Sequence, residues 1–201
     1  MSVLTYYRTT FAPYDVPDPA RHILAMLDEA QAEVKIDIYG FTWPPLMDEL
    51  IAVHERGVNV RIVADHTQAE GTAEKPQLQR LVDAGIELLI GTSSRGAIDH
   101  SKYLIVDGKT VGFGSFNFSQ SALAQDNTFT ETNDAAMVEQ FAANWQRVHD
   151  DAAGKHPDWQ LSPTTQGQPA NPDAGAAVPP PAPGDGPARP GRPSAQPGGA
   201  T

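Results

Sequence analysis

The chain has 201 residues, enough for one domain with a sizeable core plus a tail, and carries a formal net charge of -11. It has no cysteine, which excludes disulfides, thiolate catalysis and zinc–thiolate sites. From Leu161 onward Asp173 and Asp185 balance Arg189 and Arg192, so the whole acidic excess falls on the preceding residues. Phosphate contacts supply most of the affinity of a nonspecific nucleic-acid binder, which therefore shows a basic face. The acidity disfavours extensive duplex binding but leaves room for a local cationic cleft.

Residues 1–8 show no charged region followed by an apolar run, and no stretch reaches the ~20 apolar residues of a membrane span. A cytoplasmic protein without membrane insertion is the default expectation. A short strand is expected over residues 3–8. Asp18-Pro19 then supplies an N-cap and a first-turn proline, and Ile23, Leu24, Leu27 and Ala30 recur at helical spacing toward Val34. Residues 34–41 alternate and predict a strand with Ile36 and Ile38 on one face. The spacing of Leu46, Leu50, Ile51 and Val53 predicts a helix over 44–56, closed by Gly57. A strand over 58–65, a loop over 66–73, a helix over 74–84 and a strand over 86–90 follow. A loop over 91–99 leads into a hairpin. Beyond it come a helical turn at 119–124, a strand at 127–131 and an amphipathic helix over 134–149, with Met137, Val138, Phe141 and Trp145 inward. Alternating strands and helices with short connections predict an α/β fold, with a mixed, largely parallel sheet flanked by helices.

The hairpin stretch carries the chemistry. Runs rich in β-branched and aromatic residues flank Asp107-Gly108, a strong hairpin signal. Taken as a two-residue loop, it pairs Val106 with Lys109, Leu104 with Val111, Lys102 with Phe113 and His100 with Ser115. Side chains alternate along a strand, so His100 and Lys102 share a face with Ser115 and Asn117. That set suits phosphoryl transfer. An imidazole can attack phosphorus and form a covalent intermediate. Lys102 can hold phosphate oxygens as a point charge, while Ser115 and Asn117 add hydrogen bonds. Neither metal nor cofactor is needed where enough fixed donors face the phosphate. Asp107 lies in the turn, roughly 20 Å of strand from His100, and is expected to shape the turn rather than do chemistry.

The pattern His100-x-Lys102, four residues, Asp107, six residues and Gly114-Ser115-x-Asn117 resembles the signature of the phospholipase D superfamily. The resemblance implies that family's α-β-α sandwich, with His100 as nucleophile, Lys102 and Asn117 as phosphate ligands and Ser115 in the supporting network. It extends over residues 34–148, where 38–42, 56–63 and the last helix are similar to the small bacterial endonuclease branch. Family phosphodiesterases use two histidines, and one signature per chain supplies one. The resemblance therefore implies a two-fold homodimer that brings both copies of His100 to one phosphate, as nucleophile and general acid. That branch also carries a glutamate-asparagine pair that holds the histidine. The matching pair here is Asp126-Asn127, whose aspartate has the shorter reach.

Further candidates are weaker. His66 follows a strand end, where open α/β sheets place ligand crevices, and is a candidate substrate contact. Arg95 precedes His100 and is a candidate guide for an anionic substrate. Tyr39, Phe41 and Trp43 could stack on bases, against the competing expectation that they are core. His54, beside Glu55 and Arg56, is expected on a solvated helix face. Gly112-x-Gly114 lacks the third glycine and the helix of a dinucleotide site. The expected function is a homodimeric, metal-independent nuclease acting on single-stranded or nonspecific nucleic acid. Phospholipid headgroup hydrolysis is the alternative that the same His-Lys-Asn set supports, and an idle binding or scaffold protein is the alternative of another class. Residues 1–160 are expected to form the catalytic domain. Residues 161–201, rich in Pro, Gly and Ala with almost no large apolar side chains, are expected to be a disordered tail, either featureless or a proline-rich ligand.

Overall fold

The computed structural model describes residues 4–164; of the tail expected over 161–201, Leu161 packs against the core and the Thr164 N–H donates to Asp83 at 2.7 Å, while residues 165–201 lie outside the described residues. Among the described residues there are seven strands: β1 (Tyr7–Ala12), β2 (Glu33–Ile38), β3 (Asn59–Asp65), β4 (Glu87–Gly91), β5 (Lys102–Val106), β6 (Thr110–Gly114) and β7 (Asn127–Thr132). The same residues form five α-helices: α1 (Pro19–Asp28), α2 (Pro44–Glu55), α3 (His66–Ala69), α4 (Lys75–Asp83) and α5 (Ala135–Lys155). The strands form one sheet in the order β1-β7-β6-β5-β2-β3-β4. The mixed α/β class is borne out, but only β2–β3 and β3–β4 are parallel. The ladders β2–β5, β5–β6, β6–β7 and β7–β1 are antiparallel, which corrects the expectation of a largely parallel sheet. The cause is the connection after β4. It contains no crossover helix, so β5 starts at the edge where the parallel strands end and runs back against β2.

Strand alternation builds two cores. Ile36, Ile38, Ile62 and Leu104 pack with Ile23 and Leu27 of α1, Leu46 and Leu50 of α2, and Leu78 and Leu81 of α4. On the other face Val63, Tyr103, Ile105 and Val111 lie under Val138, Trp145 and Ala152 of α5.

Several elements depart from their expected limits for tertiary reasons. The first strand lies at Tyr7–Ala12, paired with β7, rather than at 3–8. Helix α1 is capped by Asp18, which accepts the Arg21 N–H at 2.9 Å, but it stops at Asp28. The N–H groups of Gln31, Ala32 and Glu33 are taken instead by the Asp107 carboxylate. The loop expected over 66–73 contains α3, capped by Asp65. His54 is half-buried against Gly85 rather than on a solvated face. Helix α5 runs six residues beyond the expected end at 149. The chain then returns along edge strand β4, where the Gln160 side chain bonds the Ile90 N–H at 2.8 Å and its carbonyl at 3.0 Å. This covers polar groups that an open edge would expose. Among the described residues no helix is long and apolar enough to cross a membrane.

Glu74 joins α4 to the end of β2. Its carboxylate accepts the Phe41 N–H at 2.7 Å while 2% exposed. Burial pushes this carboxyl up to about 7 from an ordinary 4.5; the Phe41 bond opposes the rise and the Asp65 charge adds to it. Between these two values the unfolded chain has released the proton that the folded chain keeps, so stability falls as pH rises through the window. Glu74→Gln is expected to remove a slope worth up to about 3 kcal/mol, read as urea midpoints at about pH 5 and about pH 8.

Candidate active site

The site forms where β2 ends and β5 begins. Ile38 pairs with Lys102, and one step further the Tyr39 N–H donates to the Ser101 carbonyl at 2.8 Å. After Gly114 the chain leaves β6, crosses the start of β5 and pairs Phe118 with Phe41 in a parallel bridge. The Phe118 carbonyl accepts the N–H groups of Thr42 and Trp43 at 3.0 and 3.1 Å. This crossing lays Asn117 against Gly40, where a Cβ would come within 3.2 Å of Asn117 Cγ. Tyr39-Gly40 is therefore the meeting point. The Tyr39 ring lies 4.6 Å from the His100 ring and 4.9 Å from Lys102 Nζ, and Asn117 lies against the adjoining Gly40.

The shared hairpin face expected from the two-residue loop is not how these groups meet. Val106 pairs with Thr110, Leu104 with Gly112 and Tyr103 with Phe113, so the loop has three residues. Asp107 and Gly108 take φ of 54° and 61°, and the Lys109 N–H returns to the Val106 carbonyl at 2.9 Å. Asp107 is held from outside the hairpin: its carboxylate grips the 31–33 backbone and its own N–H donates to the Glu33 carbonyl at 2.8 Å. A one-residue shift flips every side chain of one strand relative to its partner. Val111 and Phe113 accordingly pack with the α5 core, opposite Leu104. The crossing at 115–118 then brings Asn117 back.

His100 is exposed, whereas Lys102 is 7% exposed and donates from Nζ to the His100 carbonyl at 2.8 Å. That bond uses one ammonium proton of three and leaves the others for an anion. Burial pulls Lys102 below its ordinary value, opposed by the carboxylates of Asp99, Asp37 and Asp65. Asp37 is 1% exposed; burial, then the charge of Asp99, pushes its carboxyl well up. A proton held there removes one of the negative charges that act on the Lys102 ammonium. An exposed imidazole beside a sheltered ammonium and a carboxamide is equipped to receive a phosphate, attack it and hold its oxygens.

Residues 23–149 match the family model described as cardiolipin synthase, PLD-like domain. The chain belongs to the phospholipase D superfamily. It is 26% identical over 135 residues to the mitochondrial cardiolipin hydrolase of Chlamydomonas reinhardtii, covering 67% of this chain and 59% of that protein. It is 30% identical over 128 residues to the phospholipase D of Rickettsia felis, covering 62% and 61%. The chain thus spans about three fifths of the length of these curated relatives. Among solved structures, Nuc, a phospholipase D family member from Salmonella typhimurium, superposes with a TM-score of 0.68 at 28% identity, over 74% of this chain and 96% of that one. NucT from Helicobacter pylori shares the fold, with a TM-score of 0.67 at 22% identity over 74% and 98%.

The remaining residues of the phospholipase D signature are placed by backbone geometry. At Gly114 a Cβ would lie 2.1 Å from the Thr128 carbonyl oxygen, so the close approach of β6 and β7 admits only glycine. Ser115 accepts the Thr128 N–H at 3.0 Å and donates to Asn127 Oδ1 at 3.0 Å, which stitches the end of that ladder. Asp126 is exposed, beside the Tyr14 hydroxyl whose pKa it raises, and among the described residues no hydrogen bond joins it to His100. Asp126 immediately precedes β7, and β6 lies between β7 and β5, which puts those two strands roughly 10 Å apart.

The other candidates make different contacts. His66 opens α3 with its ring stacked on Trp159 at 3.7 Å, and His156 covers the other face at 3.6 Å. Arg95 is exposed in the turn closed by the Ser93 N–H and the Ala97 carbonyl. Phe41 and Trp43 are core, at 0% and 8% exposure, and offer no face to a base. Sequence reasoning missed Gln68, which donates to the Tyr39 hydroxyl at 3.0 Å, and Asp65, which accepts the Asp99 N–H at 2.7 Å. The position of Asp65 at a parallel strand end was the available signal. Gln68 left none.

Proposed function

We propose that the chain is a phosphodiester hydrolase acting through a phosphohistidine at His100, in a homodimer that shares one site. The observation that carries this is the juxtaposition of an exposed His100 with Lys102, sheltered and docked on the His100 carbonyl. In this mechanism a ring nitrogen of His100 forms a bond to phosphorus as the bond to the leaving oxygen breaks. The second copy's His100 gives that oxygen a proton. The same histidine then takes a proton from water, whose oxygen attacks phosphorus and releases the first imidazole. Lys102 and Asn117 hold the non-bridging oxygens in both steps.

The substrate proposed is single-stranded or nonspecific nucleic acid. The similarity to the small bacterial endonuclease branch supports it, and the net charge of -11 disfavours an extended duplex footprint. Phospholipid headgroup hydrolysis is the second reading, favoured by curated relatives named cardiolipin hydrolase and phospholipase D. A cytoplasmic setting accompanies the nucleic-acid reading. The test is cleavage of labelled single-stranded DNA in EDTA, beside phosphatidylcholine and cardiolipin vesicles. Cleavage of DNA alone is expected. Turnover of lipid alone would replace the substrate, loss of activity in EDTA would overturn metal independence, and silence on all three would favour a binding protein. Sedimentation of the active species reads the assembly; an active monomer would overturn the shared site.

A further inference from the structure

We propose that Tyr39 is a positioning residue for the nucleophile, held in place by Gln68 of α3; the proposal rests on the phosphohistidine reading and deepens it. The His100 side chain is exposed, and the Tyr39 ring is the aromatic surface against which it rests, at 4.6 Å with the planes inclined by 62°. Edge-to-face contact of this kind favours a definite relative orientation. The same ring lies 4.9 Å from Lys102 Nζ, within the range of a cation–π interaction. One side chain therefore touches both the attacking group and the principal phosphate ligand.

Tyr39 is itself anchored at two points. Its N–H donates to the Ser101 carbonyl at 2.8 Å, and its hydroxyl accepts from Gln68 Nε2 at 3.0 Å. Gln68 is fixed through Asp65, whose Oδ1 accepts the N–H groups of Thr67 at 2.9 Å and Gln68 at 3.3 Å. Asp65 Oδ2 accepts the Asp99 N–H at 2.7 Å, and Asp99 Oδ1 accepts the Ser101 N–H at 3.1 Å. Two arms thus leave the end of β3. One grips the backbone on both sides of His100, and the other braces the ring against which the imidazole rests. Tyr39 belongs to neither hydrophobic core, so its contacts serve the site rather than the packing of the sheet. Fixing the torsions of an attacking group in a near-attack geometry raises turnover without tightening substrate binding.

Tyr39→Leu, Tyr39→Phe and Gln68→Ala distinguish this role from a structural one. Tyr39→Leu is expected to lower kcat about 30- to 100-fold, with KM within about threefold and an unchanged circular dichroism spectrum. Tyr39→Phe keeps the ring and restores kcat to within about fivefold, and Gln68→Ala falls between the two. The second readout is the nuclear magnetic resonance signal of the His100 ring proton, assigned with His100→Ala. The Tyr39 ring current displaces that signal; Tyr39→Leu returns it to the position of an exposed histidine and Tyr39→Phe does not. A Tyr39→Leu enzyme with unaltered kcat, a Phe variant no better than Leu, or a His100 signal indifferent to both would overturn the proposal. If the wild-type protein cleaves no diester, the reaction assigned above fails. The resonance arm alone then decides whether Tyr39 holds the imidazole.

Discussion

Replacing His100 with alanine is expected to abolish phosphodiester cleavage, by about 10⁴-fold or more, while the protein stays folded. The effect is large because the bond to phosphorus is assigned to this imidazole and none of the other histidines is free to replace it. The other five histidines are engaged elsewhere. His22 is buried against Glu131 at 2.6 Å, His54 faces Gly85, His66 and His156 sandwich Trp159, and His149 meets Glu87 at 2.7 Å. Lys102 cannot substitute, since its ammonium has no lone pair while charged. The exposure of His100 makes the substitution structurally mild, so circular dichroism should match wild type. Initial rates on labelled single-stranded DNA check the outcome. Activity above about one percent of wild type would remove His100 from the role of nucleophile.

Replacing Trp145 with alanine is expected to cost about 3–5 kcal/mol of stability. The side chain is fully buried, and its indole N–H donates to the Ile36 carbonyl at 2.9 Å. That bond ties the middle of α5 to β2, an interior strand of the sheet. Arg61 and Lys35 lie over the ring at 4.8 and 5.6 Å, so truncation also strips two cations of their aromatic partner. Domains of this size are stable by about 5–15 kcal/mol, and such a loss takes a large part of that margin. The urea unfolding midpoint measures it. Trp145→Phe retains most of the ring but not the donor, and should cost about 1–2 kcal/mol. A Trp145→Ala midpoint within about 1 kcal/mol of wild type would show that α5 docks without it.

The placement of elements was readable where the signal is local. Asp18-Pro19, Pro44-Pro45 and the glycines at 57 and 85 announce helix ends through capping and backbone freedom, and α1, α2 and α4 start or stop beside them. The hairpin was visible at Asp107-Gly108, but its register was not. A sequence shows that aspartate as a turn residue; the fold also uses it to hold the backbone at Gln31, 76 positions earlier. Asn117 was placed with His100 through the wrong route, because the crossing that delivers it depends on Phe41, far upstream.

By itself, then, the sequence determined the alternation of strands and helices and the spacing of His100, Lys102 and Asn117, and through them the phospholipase D family. Periodicity, turn chemistry and motif spacing act over a few residues, so one chain suffices to read them. Only the tertiary structure decided the strand order, the three-residue loop, the pairing of Asp126 with Tyr14 and the bracing of His100 by Tyr39 and Gln68. Each depends on which distant backbone donors and acceptors find each other once the two cores have formed. That choice is made by satisfying buried polar groups across the whole sheet, and no local stretch records it.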